Sequence, residues 1–365
     1  MSDTDKLVEN VIRPDVRAMG SYLVPDSSGY IKLDAMENPY PLPERLRTEL
    51  AMRLADSVLN RYPVPSYSTL KQKVSAKLGV PDGFDVLLGN GSDEIISIIA
   101  TAVARSDRRA VIMAPVPAFV MFARSAQMAG CDFVGVPLRA DFSLDREAML
   151  AAIAQHKPAV VFLAYPNNPT GNLFDAADME AIIEALDDTG IAVVDEAYGP
   201  FAQSSFMDRL PRYPNMVVMR TLSKLGLAGI RLGYLAAAPA LLEQFDKVRP
   251  PYNINVLTQV AAEFALDHID VLNAQADALN AARTELEAGL AALPGVTVFP
   301  SRANFLLVRV PDADHACAQL LADKIMIKNM SKMHGLLANC IRVTVSTPEE
   351  NSAFVEALRA SLETR

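Results

Sequence analysis

The chain has no tryptophan, only three cysteines and four histidines, no run of basic residues and no apolar run of bilayer length. The missing tryptophan by itself excludes nothing. Cys131, Cys317 and Cys340 are odd in number and far apart, which argues against a disulfide framework and for reduced, packed thiols. His156, His268, His315 and His334 show no close spacing with one another or with cysteine, so no metal site is expected. The net charge is −9, and without a basic face a nucleic-acid partner is not expected; an anionic substrate must be caught by a few local Arg or Lys residues. The polar, acidic start MSDTDKLVEN resembles neither a signal peptide nor a transit peptide. With no apolar run of bilayer length, no membrane association is expected and the protein is expected in the cytoplasm.

What is present is the material of a globular enzyme. The length of 365 residues, with 51% apolar and 21% charged side chains, suits one large domain with a smaller companion. Short apolar runs rich in Val, Ile and Leu recur at Val86–Leu88, Ala110–Ala114, Phe133–Val136, Ala159–Ala164, Ile191–Val194, Met216–Met219 and Leu232–Ala236. They are apolar at every position rather than at alternate ones, as in strands buried on both faces of a mostly parallel sheet. Between two of them, Asp175–Leu186 predicts a crossover helix, with Asp175 as N-cap, Ile182, Ile183 and Leu186 on one face and Gly190 as the stop. The middle of the chain therefore reads as an α/β layer structure.

After Pro250-Pro251 the pattern changes to a long helical stretch, Val256–Leu293, with apolar positions from Leu257 to Leu290. Two strand-like runs follow, Ala303–Val310 and Cys340–Val345, joined through helical sequence, and then an amphipathic helix, Asn351–Leu362. The expected division is a large α/β domain over 38–250 and a smaller α+β domain made of 1–37 and 251–365. The stretch before Asn38 is too short to fold alone and is expected to pack on the smaller domain.

Four segments follow predicted strands, where loops at the carboxyl ends of parallel strands form ligand sites. Gly89-Asn-Gly-Ser-Asp-Glu94 precedes the apolar helical run 95–104; Gly91 permits close backbone approach, and a helix opening at Ser92 and Asp93 suits a phosphate. A plain N-cap at Ser92 or Asp93 explains the same residues. Tyr165-Pro-Asn-Asn-Pro-Thr-Gly171 is equally consistent with an ordinary turn. In Val193-Val-Asp-Glu-Ala-Tyr198, Asp195 ends an apolar strand and requires a cationic partner if buried. In Thr221-Leu-Ser-Lys-Leu-Gly-Leu-Ala-Gly-Ile-Arg231, Lys224 sits in a loop before a Gly-rich segment and an Arg, an unusual setting for a surface Lys.

Taken in order, these segments resemble the fold-type I aminotransferases that depend on pyridoxal 5′-phosphate, and within them most the histidinol-phosphate aminotransferase group. The resemblance runs from about Asp34 to Ser346. It implies an α/β fold whose large domain carries a mostly parallel sheet, with a smaller α+β domain. It makes Lys224 the amine that holds the cofactor as a Schiff base and then moves the substrate proton. Asp195 would pair with the ring nitrogen, Tyr198 and Asn168 with the ring O3′, and Phe119 would stack on the ring, although plain core packing also explains Phe119. Gly91, Ser92 and Asp93, with Ser223 and Arg231, would hold the phosphate.

Arg61-Tyr62-Pro63 resembles a motif whose Tyr reaches the other subunit's phosphate, which implies a homodimer with shared sites. Arg342, in Ile341-Arg-Val-Thr-Val345, resembles the Arg that takes the substrate anion, against the alternative of an exposed strand charge. The reaction so implied exchanges an amino group between histidinol phosphate and 2-oxoglutarate, in histidine biosynthesis. The chain departs from the family pattern at Met36 in Met36-Glu-Asn-Pro39, and at Lys328, where a second Arg for the substrate phosphate is expected. Tyr22 matches, loosely, an aromatic that closes over the substrate. An aromatic amino acid aminotransferase and a threonine-phosphate decarboxylase are the competing readings.

Overall fold

The computed structural model describes residues 2–21 and 23–363. Its strands are β1 Ile31–Lys32, β2 Asp85–Gly89, β3 Val111–Val116, β4 Asp132–Pro137, β5 Val160–Ala164, β6 Ile191–Asp195, β7 Met216–Thr221, β8 Gly233–Ala237, β9 Thr297–Val298, β10 Phe305–Arg309, β11 Ile325–Met326, β12 Lys328–Asn329 and β13 Cys340–Thr344. Seven of them form one sheet in the order β2-β8-β7-β6-β5-β3-β4. Only β8 runs against its neighbours β2 and β7; the pairs β3 with β4, β3 with β5, β5 with β6, and β6 with β7 are parallel. The mostly parallel sheet expected from the apolar runs is present. Each run matches a strand to within a residue or two at its ends.

The reason those runs are apolar at every position lies in what covers them. Along β5, Val161 and Leu163 join one hydrophobic core, while Val160, Phe162 and Ala164 join another. Alternate side chains of β6 and β7 divide in the same way, with Val194 and Val218 on one side and Val193 and Val217 on the other. Successive side chains of a strand point to opposite faces, so a sheet covered on both faces needs an apolar residue at each position. Between β5 and β6, helix Ala176–Leu186 is capped by Asp175, which accepts from the N–H groups of Ala177 and Asp178, and it buries Met179, Ile182, Ile183 and Leu186.

The C-terminal part forms a second sheet, antiparallel, in the order β12-β13-β10-β9. Two of its strands were visible as sequence runs; β9 and β12 have two residues each, too short to leave a periodic signal. The single helical stretch expected over Val256–Leu293 is two helices, Val256–Asp267 and Ile269–Ala291, because His268 leaves helical geometry at φ −116° and ψ 30°. The last helix begins at Pro348 instead of Asn351, since proline is compatible with a first turn.

The stretch before Asn38 packs in two places. Ile31 pairs with Ile325, and Thr344 donates to the Leu33 carbonyl, which fastens residues 31–36 to the C-terminal elements. Residues 13–20 instead lie on helix Val120–Met128: Arg13 donates to the Met128 carbonyl, and Gln127 and Arg124 donate to the carbonyls of Asp15 and Gly20. Among the described residues, no helix is long and apolar enough to cross a membrane, and no cluster of His, Cys, Asp and Glu is placed to hold a metal ion.

Helix Ile269–Ala291 depends on its buried stripe, in which Leu279 is fully enclosed. Leu279→Ala should lower unfolding free energy by about 2–5 kcal/mol, measured by urea denaturation, because the freed volume is only partly filled by relaxation.

Candidate active site

The carboxyl ends of β2, β5, β6 and β7, with the turn after β3, open onto one cleft. Ser92, Asp93, Phe119, Asn168, Asp195, Tyr198, Ser223, Lys224 and Arg231 line it, together with Met36, Pro166 and Thr221. Register explains the gathering: Ala164 pairs with Asp195, Asp195 with Met219, and Thr221 with Gly233, so the loop residues beyond these positions emerge side by side.

Asp195 closes β6 and is buried, where its Oδ1 accepts one hydrogen bond, from the N–H of Ala197 at 3.0 Å. No ion pair reaches it among the described residues. Loss of water, with the added repulsion of Asp93 and Glu196, pushes its carboxyl up to about 7. Lys224 is part-buried, and its Nζ donates to the carbonyl of Ala35 at 2.8 Å. Burial, and then the nearby Arg342 guanidinium, bring its ammonium down to about 8. A lysine so placed offers about a tenth of its population as neutral, nucleophilic amine at pH 7, far more than an ordinary lysine does.

A chain of hydrogen bonds crosses the cleft from the second sheet to the first. Arg342 Nη1 donates to Asn168 Oδ1 at 2.6 Å, and Asn168 Nδ2 donates to the Tyr198 hydroxyl at 3.0 Å. Arg342 also donates to the Asp34 carbonyl at 3.0 Å, and its guanidinium lies over the Phe305 ring. At 8% exposure Arg342 is not an exposed strand charge. Burial raises the Tyr198 phenol above its ordinary range, against the opposing pull of Arg342, so at neutral pH Tyr198 keeps its proton and can donate it. Lys328 is the cross-strand partner of Arg342 in the antiparallel pair of β12 and β13, which sets the two cations on one sheet face.

The loop Gly89–Ser92 is built for close approach. Gly91 has φ +81°, and a Cβ there would lie 2.5 Å from Arg231 Nη2. Gly91 is the N-cap of helix Ser92–Val103 and has no side chain to cap it, so neither Ser92 nor Asp93 is the cap. Arg231 completes the corner, donating to Ser223 Oγ at 3.4 Å and to Asp93 Oδ2 at 3.2 Å. Phe119 is half-buried at the cleft wall and meets Phe122 edge-on.

Tyr62 does not line this cleft; it is 81% exposed and stacks on Tyr252 with ring centroids 4.6 Å apart. Tyr22 lies outside the described residues. Met36, read from sequence as a lost polar position, acts through its backbone: at φ +54° its N–H reaches Thr344 Oγ1 and its carbonyl accepts from Asn304 Nδ2. Gly233, which the sequence did not single out, lets β8 touch the loop, since a Cβ would lie 2.9 Å from the backbone of Gly91 and Ser92. Glu196 and Arg220 were missed as well: Glu196 is fully buried and takes Arg220 Nη2 at 2.8 Å, Ser205 Oγ and the Phe206 N–H. A strand-end carboxylate followed 24 residues later by an Arg on the next strand is too common a pattern to announce that pair.

The fit to a phosphorylated pyridine aldehyde follows from these features. A glycine cradle beside Arg231 and Ser223 suits a phosphate, a buried carboxylate awaits a cation, and an amine of lowered basicity stands within the same cleft. The profile of the aminotransferase class I and II family matches residues 28–358, and the chain belongs to that family. Among its relatives, "histidinol-phosphate aminotransferase 2" of Cupriavidus pinatubonensis is 65% identical over 98% of each chain. "Histidinol-phosphate aminotransferase 1" of Ralstonia nicotianae is 62% identical over 98% of this chain and 96% of that one. The fold is also that of the histidinol-phosphate aminotransferase of Sinorhizobium meliloti solved with pyridoxal 5′-phosphate, at TM-score 0.85 and 24% identity over 97% of this chain and 98% of that one.

Asp195 gives the cleft a pH signature. Its carboxyl is held at about 7 in the fold against 3.8 ordinarily, so its contribution to stability is complete below about 3.8 and is lost as pH rises through 7. In protein stripped of cofactor, Asp195→Asn should therefore be stabilising at pH 8.5, by up to about 4 kcal/mol, and close to neutral near pH 4. Melting temperatures of both proteins across that range check this; a difference that does not grow with pH would contradict it.

Proposed function

We propose that this chain is a pyridoxal-phosphate aminotransferase that moves an amino group between histidinol phosphate and 2-oxoglutarate, acting as a homodimer. The observation that carries the substrate reading is the pairing of Lys328 with Arg342 across β12 and β13, beside the hydrogen-bonded chain to Tyr198. Two neighbouring cations suit a dianionic phosphate, and the planar fork of Arg342 alone suits a carboxylate. Relatives at 62–65% identity bearing the name of that activity support it.

When bound, the cofactor supplies an electron sink for the charge left on the substrate carbon once its proton is removed. Lys224 would offer the amine that holds the cofactor aldehyde, and its Nζ would then be the base that takes the proton from the substrate carbon. Asp195, ionised once a cation faces it, would hold the ring nitrogen in its protonated form. Tyr198 would donate to the ring O3′, positioned by Asn168, which Arg342 holds in turn. Phe119 would cover the ring. The free N–H groups of Ser92 and Asp93, approached over Gly91, would take the phosphate with Ser223 and Arg231, while Asp93 orients Arg231 through its ion pair.

The exposed Tyr62 is assigned to the partner subunit's phosphate, which its absence from the cleft of its own chain favours. Residues 38–250 would form the cofactor-bearing unit, and 251–365 with the strap 31–37 the unit that brings Arg342 and Lys328, while residues 13–20 lie on the former. Tyr22 is retained as a candidate cover for the substrate. The reaction needs no partner beyond the amino donor, the 2-oxo acid and a second copy, and such an enzyme belongs in the cytoplasm.

Purified protein should be yellow, lose that band on borohydride reduction, and yield a labelled peptide containing Lys224; a label on any other lysine contradicts the assignment. Arg342→Ala should slow both half-reactions. Lys328→Ala should raise KM for histidinol phosphate by about tenfold to a hundredfold and leave glutamate less affected. Single-turnover kinetics with each substrate separate these outcomes, and fast reaction with phenylalanine or tyrosine but none with histidinol phosphate would favour an aromatic aminotransferase instead.

A further inference from the structure

Glu94 and Asn253 have no part in the chemistry above, but they hold the loop on which the phosphate would rest. Glu94 is the third residue of helix Ser92–Val103, and its Oε2 reaches back past Gly91 to accept from the Asn90 N–H at 2.6 Å. The Gly91 N–H is taken by the Gly89 carbonyl at 2.8 Å. The loop's own donors are thus used internally, leaving to an anion those of Ser92 and Asp93, which line the cleft.

The same Glu94 oxygen accepts from Asn253 Nδ2 at 2.6 Å, and that nitrogen also donates to the Leu88 carbonyl at 3.1 Å, at the root of the loop. On its other side, Asn253 Oδ1 accepts from the Tyr67 hydroxyl at 3.1 Å and from Arg249 Nη1 at 2.9 Å. Both hydrogens and both lone pairs of one amide are engaged, which is its full capacity. Such an amide cannot turn without breaking bonds on two sides at once. Its anchors are themselves fixed: Tyr67 is 4% exposed and accepts from the Ile254 N–H at 3.2 Å, and Arg249 Nε is paired with Asp246 at 2.7 Å.

We propose that Glu94 and Asn253 are positioning residues for the cofactor phosphate, clamping the Gly89–Ser92 loop to Tyr67 and Arg249 so that the phosphate seat is formed before the cofactor arrives. This rests on the reading of that loop as the seat, with Gly91 allowing the close approach and Ser92 and Asp93 supplying the free N–H groups. The chemistry of the clamp predicts which substitutions it tolerates. Glu94→Gln keeps an oxygen to accept both bonds, whereas Glu94→Ala and Asn253→Ala remove the link.

The test compares dissociation constants for pyridoxal 5′-phosphate and for pyridoxal, which lacks the phosphate, by absorbance titration of cofactor-free protein. Glu94→Ala and Asn253→Ala should each weaken pyridoxal phosphate by about tenfold to a hundredfold and pyridoxal by less than about threefold. The double variant should be little worse than either single one, since both break one link. Glu94→Gln should stay within about threefold of the parent. Tyr67→Phe, which removes one of the four bonds, provides a milder variant if Asn253→Ala does not fold, with a severalfold loss confined to the phosphorylated ligand. Unchanged affinity in Asn253→Ala and Glu94→Ala, or equal weakening of both ligands, would overturn the proposal. Equal affinity of the parent protein for the two ligands would remove the phosphate seat itself, and that failure is read from the parent alone.

Discussion

The constraint on which the cleft depends is the burial of a carboxylate at the end of a central strand. Asp195 has left water and has a single N–H in exchange, so its ionised form is disfavoured until a cation is brought to it. A site with that property has a built-in preference for a cation. The other groups of the cleft surround it: an amine beside it, a phenol and an amide on one flank, and a glycine loop with Arg231 where β8 meets β2.

The neighbouring residue shows what a carboxylate buried for structure looks like by contrast. Glu196 is also removed from water, but it meets the Arg220 guanidinium twice, a serine hydroxyl and a backbone N–H. A pair so completed contributes little net stability over an apolar pair but is costly to break, because removing one partner strands the other. It joins the end of β6 to β7, the two strands from which Asp195 and Lys224 emerge. Two adjacent carboxylates thus divide the work, one satisfied within the protein and one left for a ligand.

The second sheet reaches the hydrogen-bonded chain of the cleft through Arg342. Arg342 reaches from β13 to Asn168, which follows β5, and to the Asp34 carbonyl in the strap that also receives Lys224 through Ala35. Substrate recognition and ring recognition are therefore not independent, since the group that would take the substrate's anion also orients the amide that orients Tyr198. Movement of the second sheet relative to the first would be felt at the phenol, a coupling carried by hydrogen bonds of 2.6 and 3.0 Å.

The seven strands of the large sheet, the Asp175-capped helix and the ordered set of loop residues were all legible in the sequence, because burial on both faces and tight loop geometry restrict residue type locally. Asp195 and Lys224 stood out by their settings, one ending an apolar run and one in a loop before a Gly-rich segment, while Asn168 and Tyr198 stood out only through the resemblance of their segments to aminotransferases. What the tertiary structure alone decided are the relations between distant segments. It split the N-terminal stretch between two surfaces, broke the long helix at His268, paired Lys328 with Arg342, turned Met36 into a backbone contact, and required Gly233 beside Gly91. It also joined Glu94 to Asn253 and Glu196 to Arg220. Hydrogen bonds and close approaches between residues far apart in the chain leave no periodicity to read, since their partners are fixed only when the sheets close around them.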